Sequence, residues 1–152
     1  MAESTETTTI AGSTANVWAA LGDFGRISRW APNVDHSCLT TGQSSGVGCE
    51  RRVQVGRNAL LEQIVEWQAG EHLAYSIQGL PPVVRSVVNT WVLDGGGDST
   101  TVTLSTHVDA GPRPPQQVVA RVFAKVMAKA SREMLAGLKA HIETAQSEEA
   151  TS

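Results

Sequence analysis

The chain has 152 residues, 41% of them apolar and 18% charged, a composition suited to one folded domain with a real core rather than to a disordered segment. A formal charge of -3 and an aromatic content of 5% leave neither the cationic surplus nor the stacking surface that nucleic-acid binding needs. The start of the chain has no basic, apolar leader pattern and no stretch approaches the roughly 20 apolar residues that span a bilayer, so the expectation is a cytoplasmic protein with no integral membrane association.

In chain order, the threonine-rich run Thr5 to Ile10 suits an edge strand. Ser13 is placed to cap a short helix carrying Val17, Trp18 and Leu21, and Phe24, Ile27 and Trp30 mark a second one that Pro32 ends. From Val34 onward the pattern is that of strands. Gly42 to Gly48 reads as a loop, and Cys49 to Val55 and Leu60 to Trp67 read as strands joined by Gly56-Arg57-Asn58. Leu73, Tyr75 and Ile77 alternate with Ala74, Ser76 and Gln78, Gly79 to Pro82 forms a turn, and Val83 to Leu93 is rich in β-branched residues. After the glycine tip at Gly95 to Gly97, Val102, Leu104, Thr106 and Val108 share one face of a last strand. Past Pro112, Pro114 and Pro115, apolar residues from Val119 through Val122, Phe123, Val126, Met127, Ala130, Met134 and Leu138 to Ile142 recur every three or four positions, predicting a helix of about 30 residues interrupted only by Gly137. The sum is an α+β domain over 1–146: a curved seven-stranded antiparallel sheet, two short helices after the first strand, a long C-terminal helix, and a polar, disordered tail over 147–152.

Several chemistries lack their signature. There is no Gly-x-Ser-x-Gly elbow, His36, His72, His107 and His141 have no metal-ligand spacing, and the Gly42 to Gly48 loop leads into a strand rather than a phosphate-binding helix. Neither a metal nor another cofactor is expected, and Cys38 and Cys49 read as reduced, structural thiols.

Thr9-Ile10-Ala11, Val17-Trp18, Leu21, Asp23 and Trp30-Ala31-Pro32 resemble the opening of the START-related, Bet v 1-like helix-grip superfamily, in particular its polyketide cyclase/dehydrase-like bacterial members. Gly48-Cys49-Glu50-Arg51, Leu61 to Trp67, Asn89-Thr90-Trp91 and Thr101 to Leu104 resemble later strands of the same pattern. The resemblance runs from about Thr8 to Ile142 and implies a cavity between the concave sheet face and the long helix. Members of the superfamily bind lipids, sterols, hormones and polyketides, and some are cyclases or aromatases, so the implied partner is a hydrophobic small molecule.

The resemblance also implies where that molecule would lie. Phe123, Met127 and Ser131, spaced by four on the helix, match ligand-facing positions, although the two apolar ones serve equally well as core. Trp30 falls where relatives form cavity wall. The face of Arg51, Val53 and Val55 is implied to point inward. With Val55 opposite Leu60, Glu62 would lie diagonal to Arg51 on that face; a register slipped by one would send Glu62 to solvent and turn Leu61, Val65 and Trp67 inward. Ile64, Tyr75, Val88, Thr90 and Leu104 complete the expected lining. Three functions stay open: a binder of an apolar molecule; a cyclase-like enzyme promoting aldol closure and dehydration, with Arg51 stabilising an enolate oxygen and Glu62 or Tyr75 moving protons; and an interaction protein, monomer or dimer, whose cavity is filled by side chains.

Overall fold

A computed structural model describes residues 2–151, with side chains through residue 145. Seven strands form one antiparallel sheet: β1 (Ala2–Ile10), β2 (His36–Leu39), β3 (Glu50–Val55), β4 (Asn58–Gln68), β5 (His72–Gln78), β6 (Ser86–Gly95) and β7 (Thr100–Asp109). Their spatial order is β1-β7-β6-β5-β4-β3-β2, so every neighbour but the β1–β7 pair is a chain neighbour. Helix α1 (Thr14–Leu21) and a 3-10 helix (Phe24–Arg29) follow β1, and helix α2 (Pro114–Thr151) closes the chain. This is the helix-grip α+β architecture expected. The tail expected over 147–152 lies outside the described side chains.

Local chemistry accounts for the boundaries. Ser13 Oγ accepts the Asn16 backbone N–H at the start of α1. At the start of α2, Pro114 and Pro115 occupy positions whose N–H groups have no helical partner, so nothing is lost by their absence. Gln116 Oε1 reaches back to accept the Arg113 N–H, half of a capping box. The second helical segment, expected from Phe24, Ile27 and Trp30, winds as a 3-10 helix with a break at Arg26. That tighter winding brings Phe24 and Ile27 into the core within six residues.

Two details of the sheet depart from the sequence reading. The β3–β4 hairpin turns on two residues, Gly56 and Arg57, with Val55 opposite Asn58. Gly56 has φ +59°, the left-handed conformation such a turn requires at its first position. Arg51 therefore faces Glu62 directly, not diagonally. Further along β4, the pairing with β5 steps from Ile64–Tyr75 to Glu66–Ala74, leaving Val65 as the extra residue of a β-bulge. Before the bulge Glu62 and Ile64 point inward; after it Trp67 does, opposite the buried Leu73. Of the slipped register only the inward Trp67 is found, and Val65 itself is exposed.

The apolar stripe of α2 is narrower than its spacing suggests. Ala120, Ala124, Met134, Leu135, Leu138 and Ile142 are buried, whereas Val122 and Val126 stay about 60% exposed (59% and 61%). Helix positions three and four apart drift round the cylinder, so a stripe counted generously extends past the contact face. α2 lies mainly across β1 and β7. It makes no comparable contact with β3, β4 or β5, and the space left on that side is where the cavity opens. Gly137 fits close packing there: a Cβ would run into the backbone oxygen of Trp30.

Candidate functional site

A cavity of about 120 Å³ lies between the β3–β5 side of the concave face and α2. Val53 and Val55 of β3, Leu60 and Glu62 of β4 and Ile77 of β5 form its sheet wall; Met127, Ala130 and Met134 form its helix wall. Ile27, Asn33 and Val34 close one side, with Leu80 from the β5–β6 turn and Asn89 from β6. The wall is apolar apart from Asn33, Glu62 and Asn89.

Behind Glu62 lies the strongest electrostatic feature of the interior. Arg51 is 2% exposed. Its Nε and Nη2 both sit 2.7 Å from Glu62 Oε1, and its Nη1 donates to the Phe24 backbone oxygen at 2.9 Å. The guanidinium is stacked 3.7 Å from the Phe24 ring centroid and 4.7 Å from that of Tyr75. A charge taken out of water is tolerable only when so compensated. Both contacts to Glu62 use one oxygen, and no protein hydrogen bond reaches Oε2 among the described residues.

A second network runs through the core beside it. The Thr106 hydroxyl donates to Asn89 Oδ1 at 2.7 Å, Asn89 Nδ2 donates to the Tyr75 oxygen at 3.3 Å, and Trp91 Nε1 donates to the same oxygen at 3.2 Å. Burial pushes the Tyr75 phenol above its ordinary value of 10.0, and the Glu62 carboxylate adds to the rise. The phenol therefore stays neutral.

Of the residues expected to line a cavity, the structure puts Val53, Val55, Glu62 and Met127 on its wall. Arg51, Ile64, Tyr75 and Leu104 are buried on the same side of the sheet but are not among the wall residues. Trp30 packs edge-on against Trp91, with ring centroids 5.7 Å apart, and borders a separate surface cleft beside His141 and Ile142. Phe123 is half-buried and Ser131 fully buried, and neither reaches the cavity: the helix wall follows 127, 130 and 134 instead of 123, 127 and 131. Val88 and Thr90 are corrected outright. β6 turns Val87, Asn89 and Trp91 inward, Trp91 opposite Leu73 and Leu104, so the alternate residues Val88 and Thr90 lie on the other face. Sequence reasoning missed Asn89, although its two-residue spacing from Trp91 places it on the inward face.

No helix among the described residues is long and apolar enough to cross a membrane. Fold and cavity together define a helix-grip protein with an internal space of mixed, largely apolar character. The chain belongs to the polyketide cyclase / dehydrase and lipid transport family, whose model matches residues 1–143. Among curated proteins none matches the chain. Among solved structures, the Zhui aromatase/cyclase from Streptomyces sp. R1128 is similar, with a TM-score of 0.77 at 16% identity over 93% of each chain. An uncharacterised protein from Bacillus thuringiensis gives a TM-score of 0.75 at 21% identity, over 93% of this chain and 98% of that one. A START superfamily protein from Mycobacterium smegmatis gives 0.74 at 13% identity, over 93% and 97%. At such identities the likeness is one of fold.

Proposed function

We propose that this protein binds a hydrophobic small molecule in the cavity between α2 and strands β3–β5, in the cytoplasm. The observation that carries the reading is the cavity itself: a partly enclosed, mostly apolar space with a buried carboxylate in its wall. Binding pockets of this composition, apolar with a few convergent polar groups, are the usual way a fold holds a small ligand. At about 120 Å³ the space takes a group the size of one aromatic ring. A longer ligand requires Met127 and Met134, both unbranched and adaptable, to swing aside.

The test is native mass spectrometry of the purified full chain, followed by release and identification of any retained molecule, together with a toluene titration followed by NMR. A retained apolar adduct, or saturable toluene binding that Ala130→Leu abolishes by filling the space, is the expected result. A clean apo mass with no saturable toluene binding overturns the reading.

A second reading is favoured by the same carboxylate. An enzyme of the cyclase type, promoting aldol closure and dehydration, needs a proton acceptor facing its substrate, a role that Glu62, a residue of the cavity wall whose Arg51 contacts use Oε1, would fill. Arg51 is not placed to be the oxyanion donor in such a scheme, because it is not among the residues of the cavity wall. Loss of turnover in Glu62→Gln with unchanged ligand affinity would distinguish this reading from simple binding.

A further inference from the structure

Two side chains of the cavity wall carry an unpaired acceptor. Among the described residues no group donates to Glu62 Oε2, and the buried Asn33 side-chain oxygen has no partner. Both residues line the cavity. The third polar residue of the wall, Asn89, is occupied at both ends, by Thr106 and Tyr75. The one cation nearby, Arg51, is committed to Glu62 and the Phe24 oxygen and roofed by two aromatic rings. Among the described residues the wall thus offers an incoming group two unpaired acceptors, one of them a carboxylate oxygen, and no free positive charge, the Asn33 amide N–H₂ being its free donor. In a low-dielectric enclosure an unpaired acceptor favours a donor and repels an anion.

We infer that the ligand is an apolar molecule presenting a hydrogen-bond donor, a hydroxyl, phenol or amine N–H, to Glu62 Oε2, and that carboxylates and other anionic head groups are rejected. The inference rests on the binding reading above and narrows it to a ligand class. Glu62 becomes the residue that sets specificity, while the aliphatic wall supplies affinity without chemical preference.

The experiment uses the full-length chain at neutral pH and three ring-sized probes: toluene, phenol, which replaces the methyl by a hydroxyl of similar size, and benzoate. Affinities are measured by NMR titration for the wild type and for Glu62→Gln. In that variant an amide N–H₂ replaces the free acceptor if the amide oxygen keeps the contact with Arg51. The phenol-to-toluene affinity ratio is expected to fall about tenfold in Glu62→Gln, the scale of a lost hydrogen bond to a charged group. Benzoate is expected to bind the wild type at least tenfold more weakly than phenol. An unchanged phenol-to-toluene ratio with toluene still bound overturns the inference and leaves the binding reading standing. If neither toluene nor phenol binds the wild type, the binding reading itself falls, and this one with it. Should Glu62→Gln fail to fold, the wild-type comparison decides, and benzoate binding as tightly as phenol overturns the inference.

Discussion

Arg51 and Glu62 stand directly opposite each other on β3 and β4, joined through a single carboxylate oxygen 2.7 Å from two guanidinium nitrogens. The pair is almost wholly screened from solvent, with side-chain exposures of 2% and 8%. Removing one member strands the other. Arg51→Met is expected to cost about 3–5 kcal/mol, whereas Arg51→Met with Glu62→Leu recovers most of that loss, because two apolar groups of similar volume leave no charge behind. Urea denaturation of the three chains checks this. A single-variant loss of only about 0.5 kcal/mol, the scale of a surface change, would show that the carboxylate reaches water in solution.

Tyr75 accepts two hydrogen bonds in the core, from Asn89 and Trp91. Tyr75→Phe leaves both donors without an acceptor and is expected to cost about 1–3 kcal/mol. There is also a pH signature. Burial first, and the Glu62 carboxylate second, raise the folded phenol above the unfolded value of 10.0. The associated stability is fully present below that value and is lost as pH rises through the folded one. Thermal melts should therefore fall less steeply above pH 10 in Tyr75→Phe than in the wild type; parallel alkaline limbs would contradict the assignment.

Glu143 gives the opposite limb. Its carboxylate accepts the Ala11 backbone N–H at 2.9 Å and pairs with Lys139 at 2.7 Å, tying the segment after β1 to the end of α2. The Ala11 contact first, and Lys139 next, hold its pKa below the ordinary 4.5. Stability from this group is present above 4.5 and is lost as pH falls through the lowered folded value. Because the side chain is 33% exposed, the effect is small, under about 1 kcal/mol. Glu143→Gln should melt slightly lower at neutral pH and converge with the wild type in acid.

Ser131 is the reverse case from Tyr75. It is wholly buried, and its hydroxyl has no hydrogen-bond partner among the described residues. Ser131→Ala should raise stability by about 1 kcal/mol, since only an unpaired polar atom is removed. Ser131→Phe should lower it by about 1–3 kcal/mol or more through overpacking. Because Ser131 is not part of the cavity wall, neither change is aimed at the ligand, and chemical denaturation is the proper readout.

Gly137→Ala tests the closest approach of α2 to the rest of the chain. Alanine gains about 1 kcal/mol in helix propensity over glycine. Here the added methyl meets the Trp30 carbonyl and the Pro32 ring, so net destabilisation is expected in a thermal melt. A stabilised variant would mean that the helix can retreat freely.

How much of this was legible in the sequence follows from the range of the interactions involved. The strands, the capped α1 and the long helix come from local patterns and from a whole-chain resemblance, and they lie within a few residues of where they were expected, apart from a longer α2. The inward direction of Arg51 and Glu62 came with that resemblance, but their direct pairing depended on whether Asn58 belonged to the turn or to the strand. The bulge at Val65 left no mark that periodicity could read, since a single extra residue makes both registers look equally good. Cavity membership was least legible. It depends on where α2 crosses the sheet, and lying across β1 and β7 it presents Ala130 and Met134, not Phe123 and Ser131. The phase of β6 was obscured because β-branched residues occupy both of its faces, and Trp91 settles it.

The unpaired Val65 acts as a phase shifter within one strand. On its near side β4 contributes Glu62 to the cavity; on its far side it contributes Trp67, whose ring meets Trp18 of α1 edge-on at 5.0 Å. Were Val65 paired as an ordinary ladder residue, Glu62 and Trp67, five positions apart, would alternate to opposite faces, so that keeping the carboxylate inside would cast the tryptophan out, or the reverse. One extra residue thus lets a single strand serve both the cavity wall and the clamp that holds the first helix to the sheet.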